Sequence, residues 1–175
     1  MPRPLPAFLL ALTLLGSTGC KRSVEDPAPV QTGSYLVYQV TEQMGNLQHI
    51  NQVRLDFVVK DDTIVVNITG PKGTKTVKTN LAGEPLDGQS LTVSHQALGD
   101  VDLGMLYLPT KDRRQGVNTK AGRTTKVRPY EGRQVWAVAQ KAKGNRYFDQ
   151  QLGVLLGWQL TVPNGESVAK LVDSQ

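Results

Sequence analysis

Two histidines, two tight pairs of aspartates and one cluster of cations carry the chemistry that this 175-residue chain has to offer. His49 sits in a polar stretch, Asn46-Leu47-Gln48-His49, and reads as a surface loop residue. His95 follows Leu91 and Val93 on the same parity and reads as the edge of an apolar face. A zinc site needs further His, Cys or carboxylate ligands at suitable spacing, and the sequence places none beside either histidine. Asp61-Asp62 has the chemistry of a hairpin turn, where short acidic side chains bond the local backbone. Asp100-Val101-Asp102 lies between Gly99 and Gly104, and a pair of carboxylates in a loop is a minimal calcium ligand set; the expectation here is a loop. There is no G-x-S-x-G elbow, phosphate loop, H-E-x-x-H pair or EF-hand loop. No catalytic residue, metal or cofactor is therefore expected.

The cations are more informative. Lys111, Arg113, Arg114, Lys120, Arg123, Lys126, Arg128 and Arg133 stand against only Asp112 and Glu131, a net +6 over 23 residues in a chain of net +5. A basic patch concentrates anionic partners near it. Nucleic acid is disfavoured, because no stacking aromatic falls between Tyr107 and Tyr130. Lipid phosphate, acidic glycan or an acidic protein face is left as the partner, and a solvated loop with no partner is the plain alternative.

The N-terminus says where the chain goes. Met1 and Arg3 precede an apolar run at 7–15 (AFLLALTLL), and small residues follow to Cys20. That order is a secretory signal. As a helix the run covers about 14 Å, against roughly 30 Å of hydrocarbon in a bilayer, so it is too short to span. Cys20 is the only cysteine. Ser17-Thr18-Gly19-Cys20 resembles the lipobox of bacterial lipoproteins, with serine where leucine is usual. The resemblance implies cleavage before Cys20, a diacylglyceryl group on its sulfur and a fatty acyl (palmitate) chain on the new amino terminus. The membrane is then a partner through the anchor. Lys21 follows, where aspartate goes with inner-membrane retention in Gram-negative lipoproteins; the resemblance implies the outer membrane if the host is Gram-negative.

The elements that would position these residues are strands. The division expected is a signal peptide at 1–19, a lipidated cysteine and proline-containing tether at 20–32, and a folded domain at 33–175. In that domain Val53, Leu55, Phe57 and Val59 alternate with other residues, as do Ile64, Val66 and Ile68, Leu91 and Val93, and the set from Val154 to Val162. Period two marks strands with one face on a core. Further strands are expected at 34–41, 123–128, 133–140 and 167–172. Turns are expected at Asp61-Asp62, Gly70-Pro71-Lys72-Gly73, Lys143-Gly144-Asn145 and Pro163-Asn164-Gly165, the last most strongly because Asn164 and Gly165 both take positive φ cheaply. Residues 96–106 are the only candidate for a helical turn, weakened by Gly99 and Gly104. The fold class expected is all-β, an antiparallel meander of about eight to ten strands forming a curved sheet, roll or half-barrel.

Tyr147-Phe148-Asp149-Gln150-Gln151-Leu152-Gly153-Val154-Leu155 is similar to a step in curved-sheet envelope proteins, including the half-barrel lipoprotein carriers and acceptors of LolA/LolB type. In it Asp149 caps the turn and Gly153 re-aims the next strand, with Trp136 on the strand before. In those carriers helices plug the concave face, and this chain has little helical material for such a plug. The reading that follows is a lipid-anchored envelope protein with a non-catalytic binding role toward an amphipathic or anionic envelope ligand. The alternative is a structural accessory subunit that docks another envelope protein.

Overall fold

The computed structural model describes residues 30–118, 122–140 and 143–175. The described residues hold twelve strands: β1 (Tyr35–Met44), β2 (Leu47–Lys60), β3 (Thr63–Gly70), β4 (Gly73–Asn80), β5 (Thr92–His95), β6 (Gly99–Asp102), β7 (Gly116–Asn118), β8 (Arg123–Tyr130), β9 (Arg133–Gln140), β10 (Gly144–Asp149), β11 (Leu155–Val162) and β12 (Gly165–Ser174). Ten of them form one antiparallel sheet in the order β4-β3-β2-β1-β12-β11-β10-β9-β8-β7, and β5 and β6 make a separate hairpin. The sheet is curved and stays open, with β4 and β7 as its edges. The all-β expectation holds.

Alternation builds the inner face. Leu36, Tyr38, Val40 and Glu42 of β1 are buried while the residues between them are not. Register sets Leu36 and Tyr38 opposite Leu55 and Val53 of β2, and Leu55 and Phe57 opposite Ile68 and Val66 of β3. On the other side of β1, the inner face continues through Ala169 of β12 to Trp158 of β11, then Arg146 and Phe148 of β10 and Trp136 and Val138 of β9. Each large apolar side chain removed fully from water contributes about 1.5–3 kcal/mol. Tyr38 and Trp158, both fully buried, have ring centroids 5.1 Å apart and anchor the middle.

The inner face is covered by the chain itself. Residues 81–115 leave β4 and reach β7 as a strap that carries the β5–β6 hairpin. Leu91, Val93, Val101, Leu103 and all four residues from Met105 to Leu108 are buried beneath or within it. The strap joins β11 through Leu155 N–H to Leu106 O at 3.0 Å, and the turn before β11 through Leu108 N–H to Gly153 O at 2.8 Å. Its helical content is a single 3-10 turn at Thr110–Asp112.

Several local expectations change. His49 lies inside β2, not in a loop. Residues 96–106 contain β6 and an extended segment instead of a helical turn. The β11–β12 turn falls where expected, within Pro163-Asn164-Gly165: Pro163 and Asn164 are its two loop residues, and Gly165 opens β12 opposite Val162. Val30, which the sequence reading placed in the tether, is buried and packs in the core. The Asp149 turn is as expected: its carboxylate accepts from the N–H groups of Gln151 and Leu152 at 2.8 Å.

Candidate functional site

The cationic segment, continuous in sequence, is divided by the fold into three groups. Lys111 and Arg114 are exposed on the outgoing end of the strap. Arg113, between them, turns back and donates to the carbonyl oxygens of Leu108 (2.8 Å), Leu152 (2.9 Å) and Gln151. Its guanidinium clamps the strap to the β10–β11 turn, which makes it structural. Arg123 starts β8 on the inner-face parity, with Nη1 4.0 Å from Met105 Sδ. Lys126 and Arg128 share the opposite, outer parity of β8, and Arg133 joins them from β9, where it pairs with Tyr130. All three are exposed. Lys120 and Cys20 lie outside the described residues.

The outer face between these cations is built of small and aromatic residues. Lys126 is opposite Ala137, which is opposite Tyr147, which is opposite Gly157. The rings of Tyr130 and Tyr147 stack at 4.1 Å between centroids. Tyr130 Oη–H donates to Ala169 O at 2.8 Å, so the β8–β9 hairpin end curls back toward β12. A Cβ on Gly157 would collide with that hydroxyl and with the Ala169 carbonyl, which is why glycine stands there. Burial, with Glu131 and Tyr147 adding, pushes the Tyr130 phenol up to about 12, against a smaller lowering by Arg133. It remains a neutral donor at any physiological pH. Burial also raises Tyr147, with Arg128 pulling the other way. Val117 of β7 lies opposite Thr124 on this same face and is 69% exposed.

A second constellation, on the inner face, has the residue types of nucleophilic chemistry. Ser167 Oγ and His95 Nε2 are 2.6 Å apart. Trp158 Nε1–H donates to the same Oγ at 2.9 Å. His95 Nδ1 faces Val93 O, 3.0 Å away, and a carbonyl oxygen only accepts, so in the neutral ring Nδ1 carries the proton and Nε2 accepts from the serine hydroxyl. Glu42 stands nearby and accepts from Asn51 Nδ2 at 2.7 Å, Gln96 N at 2.9 Å and Ala97 N at 2.7 Å. Burial pushes Glu42 up, but the amides of Ala97, Gln96 and Leu98 and the charge of His95 outweigh it, and the carboxyl is held below its usual range. Burial pushes His95 down more than the Val93 bond and the charges of Glu42 and Asp100 raise it, and Lys72 adds to the lowering. Ser167, His95 and Glu42 are each at most 1% exposed. A substrate has no approach to the hydroxyl in this arrangement. What it does is hold the β5–β6 hairpin onto β1, β11 and β12.

Arg146 performs the same task nearer β10. It is 5% exposed, and its guanidinium donates to Leu103 O and to Asp102 O, the latter at 2.9 Å. Burial lowers its pKa, with Asp102 opposing and Arg123 adding to the lowering. The sequence reading missed Glu42, Arg146 and Ser167. Their signal was parity: each occupies a position where period two asks for an apolar side chain. Among the described residues Asp100 and Asp102 gather no third ligand of the kind a metal site needs.

No family model and no curated protein matches this chain.

Proposed function

We propose that this chain is a lipid-anchored protein of the cell envelope with a non-catalytic binding role, exported by its leader and held through Cys20. Its partner is anionic and is recruited by the cations of the 111–133 segment. The observation that carries the reading is the exposed trio Lys126, Arg128 and Arg133, which share one face and have no carboxylate within ion-pair distance among the described residues. In a Gram-negative host the outer membrane is the site implied by Lys21. The reading treats the Ser167–His95 pair as structural. Two measurements test it. Labelled fatty acid should enter the protein and should not enter the Cys20→Ala variant. In-cell photocrosslinking from the Arg128 position should capture an anionic envelope component.

A second reading, an accessory subunit that docks another envelope protein, is favoured by the free end of the β1–β2 hairpin. There Leu47 and Ile50 are 61% and 59% exposed. A crosslinker at Ile50 that captures one protein, with none captured at Arg128, would put this reading first.

A further inference from the structure

Resting on the reading of an anionic partner, we propose that the partner is the phospholipid headgroup layer, and that the domain lies on it with the outer face of β8 and β9. Three observations converge on a lipid surface rather than a soluble polyanion. The first is charge. Lys126, Arg128 and Arg133 project from one face with no ion-pair partner among the described residues, while Arg113 and Arg123 of the same segment are turned to internal carbonyl and sulfur atoms. The second is the apolar and amphipathic content of that face. Val117 is exposed there with nothing to cover it among the described residues, and the stacked rings of Tyr130 and Tyr147 sit among the cations. Tyr147 is apolar along the ring and polar at its tip, the character that favours the headgroup level of a bilayer, while Tyr130, whose hydroxyl is turned inward to Ala169 O, adds only ring surface. A glycan or an acidic protein segment would give the cations a partner but would leave Val117 without a reason. The third is reach. Ten residue steps separate Cys20 from Val30, which packs in the core. Fully extended they span about 35 Å, enough for an anchored domain to turn this face to the membrane and too short to carry it far away.

Contact of this kind has a definite size. Each cation close to an anionic lipid surface adds about fivefold to binding, so three give on the order of a hundredfold. The chain from residue 21 onward keeps every described strand and every described core residue, and it carries no acyl group. It should be titrated with phosphatidylcholine vesicles with and without phosphatidylglycerol, and with heparin as a soluble polyanion. Expected are a preference for the phosphatidylglycerol vesicles and its loss in high salt. The Lys126→Glu, Arg128→Glu, Arg133→Glu variant should lose that preference, and the Lys111→Glu, Arg114→Glu variant should change it only a few-fold. Val117→Ser should weaken vesicle binding and leave heparin binding untouched. A Gln version of the triple variant guards against a fold defect, with the circular dichroism melt as control. If the Lys111/Arg114 variant abolishes binding and the triple variant does not, the face assigned here is wrong while the anionic reading stands. Tight binding to heparin without any vesicle preference overturns the lipid surface and leaves a glycan in its place. Indifference to vesicles and heparin alike overturns both this inference and the function on which it rests.

Discussion

The two arms of the sheet, on either side of the central β1–β12 pairing, treat their arginines differently. In the arm from β1 to β4, Arg54 is satisfied within the protein. It bonds Asp56 at 2.8 Å and lies 4.1 Å over the ring of Tyr35, whose hydroxyl donates to Asp173. Those ladders run without a register break, and the inner face is aliphatic apart from Tyr38, Phe57, Thr79 and Glu42. In the arm from β12 to β7 the register shifts between Tyr147 and Phe148, a cation is buried at Arg146, and three others face outward unpaired among the described residues. The first arm pairs its one arginine but leaves Lys60 and Lys78 exposed with no ion pair among the described residues. Buried polar groups of both arms hold the strap, Glu42 in the first and Arg146 and Ser167 in the second. The difference between the arms lies in their arginines: one is paired at the surface, another is buried, and two more stay open on the outer face.

The sharpest test of the difference is in the core. Trp158→Ala should destabilise the domain by about 3–5 kcal/mol, because a fully buried indole and its bond to Ser167 are lost together; urea titration measures this, and a change under about 1 kcal/mol would contradict the face assigned to β11. Next in size is a matched pair of arginines. Arg146→Met strips the partner from the Leu103 and Asp102 carbonyls and should cost about 2–3 kcal/mol, whereas Arg54→Met, at an exposed ion pair, should leave the melting midpoint almost unmoved. Equal effects would erase the contrast between the arms.

Acid provides a third test. The His95 pKa is depressed in the folded protein below its ordinary 6.5, so on acidification the unfolded chain takes up a proton first. Stability should therefore be full above about pH 6.5 and fall as pH drops toward the folded pKa, by at most about 1.4 kcal/mol per pH unit. Glu42, held below its ordinary 4.5, adds a further loss below that value. His95→Gln should remove the upper part of this slope and keep the lower; a slope that persists unchanged would mean another group is responsible. The smallest expected effect is on the outer face. Reversing Lys126, Arg128 and Arg133 should alter folding stability by no more than about 0.5 kcal/mol, even though it abolishes binding.

How much of this was legible in the sequence depended on whether one face of a strand was buried. β3, β11 and the second half of β2 were readable because apolar and polar residues alternate there, whereas 47–52 of β2, exposed along almost their whole length, read as a loop. β4 (GTKTVKTN) was not, since an edge strand with only Val77 and Thr79 buried carries almost no period. Residues 103–108 lost the period for the opposite reason: chain enclosed on every side is apolar at consecutive positions, as Met105-Leu106-Tyr107-Leu108 show. The excess of charge at 111–133 was plain, but its division was not. Arg113 and Arg114 are neighbours of one type, and only the carbonyls offered by the β10–β11 turn separate a clamp from a surface cation. The buried Glu42 was hidden in a run that looks polar, Thr41-Glu42-Gln43, because its partners arrive from residues 96 and 97.

The pairing of β1 with β12 also sets the order in which the molecule can mature. Tyr35 and Asp173 bond across 138 positions of sequence, and Leu36 meets Ser174 in the middle of the sheet. A chain growing from its N-terminus makes β1 to β4 early as a small meander, but one side of β1 has no neighbour until β12 exists. Closure across so long a span is entropically slow. Until it happens, β1 is a bare edge with an apolar face, the kind of surface that recruits other strands. Fast local hairpins on both arms are thus followed by one late joining step. Slowing that step, for instance by weakening β12, should raise aggregation during refolding more than it lowers the stability of molecules that have finished.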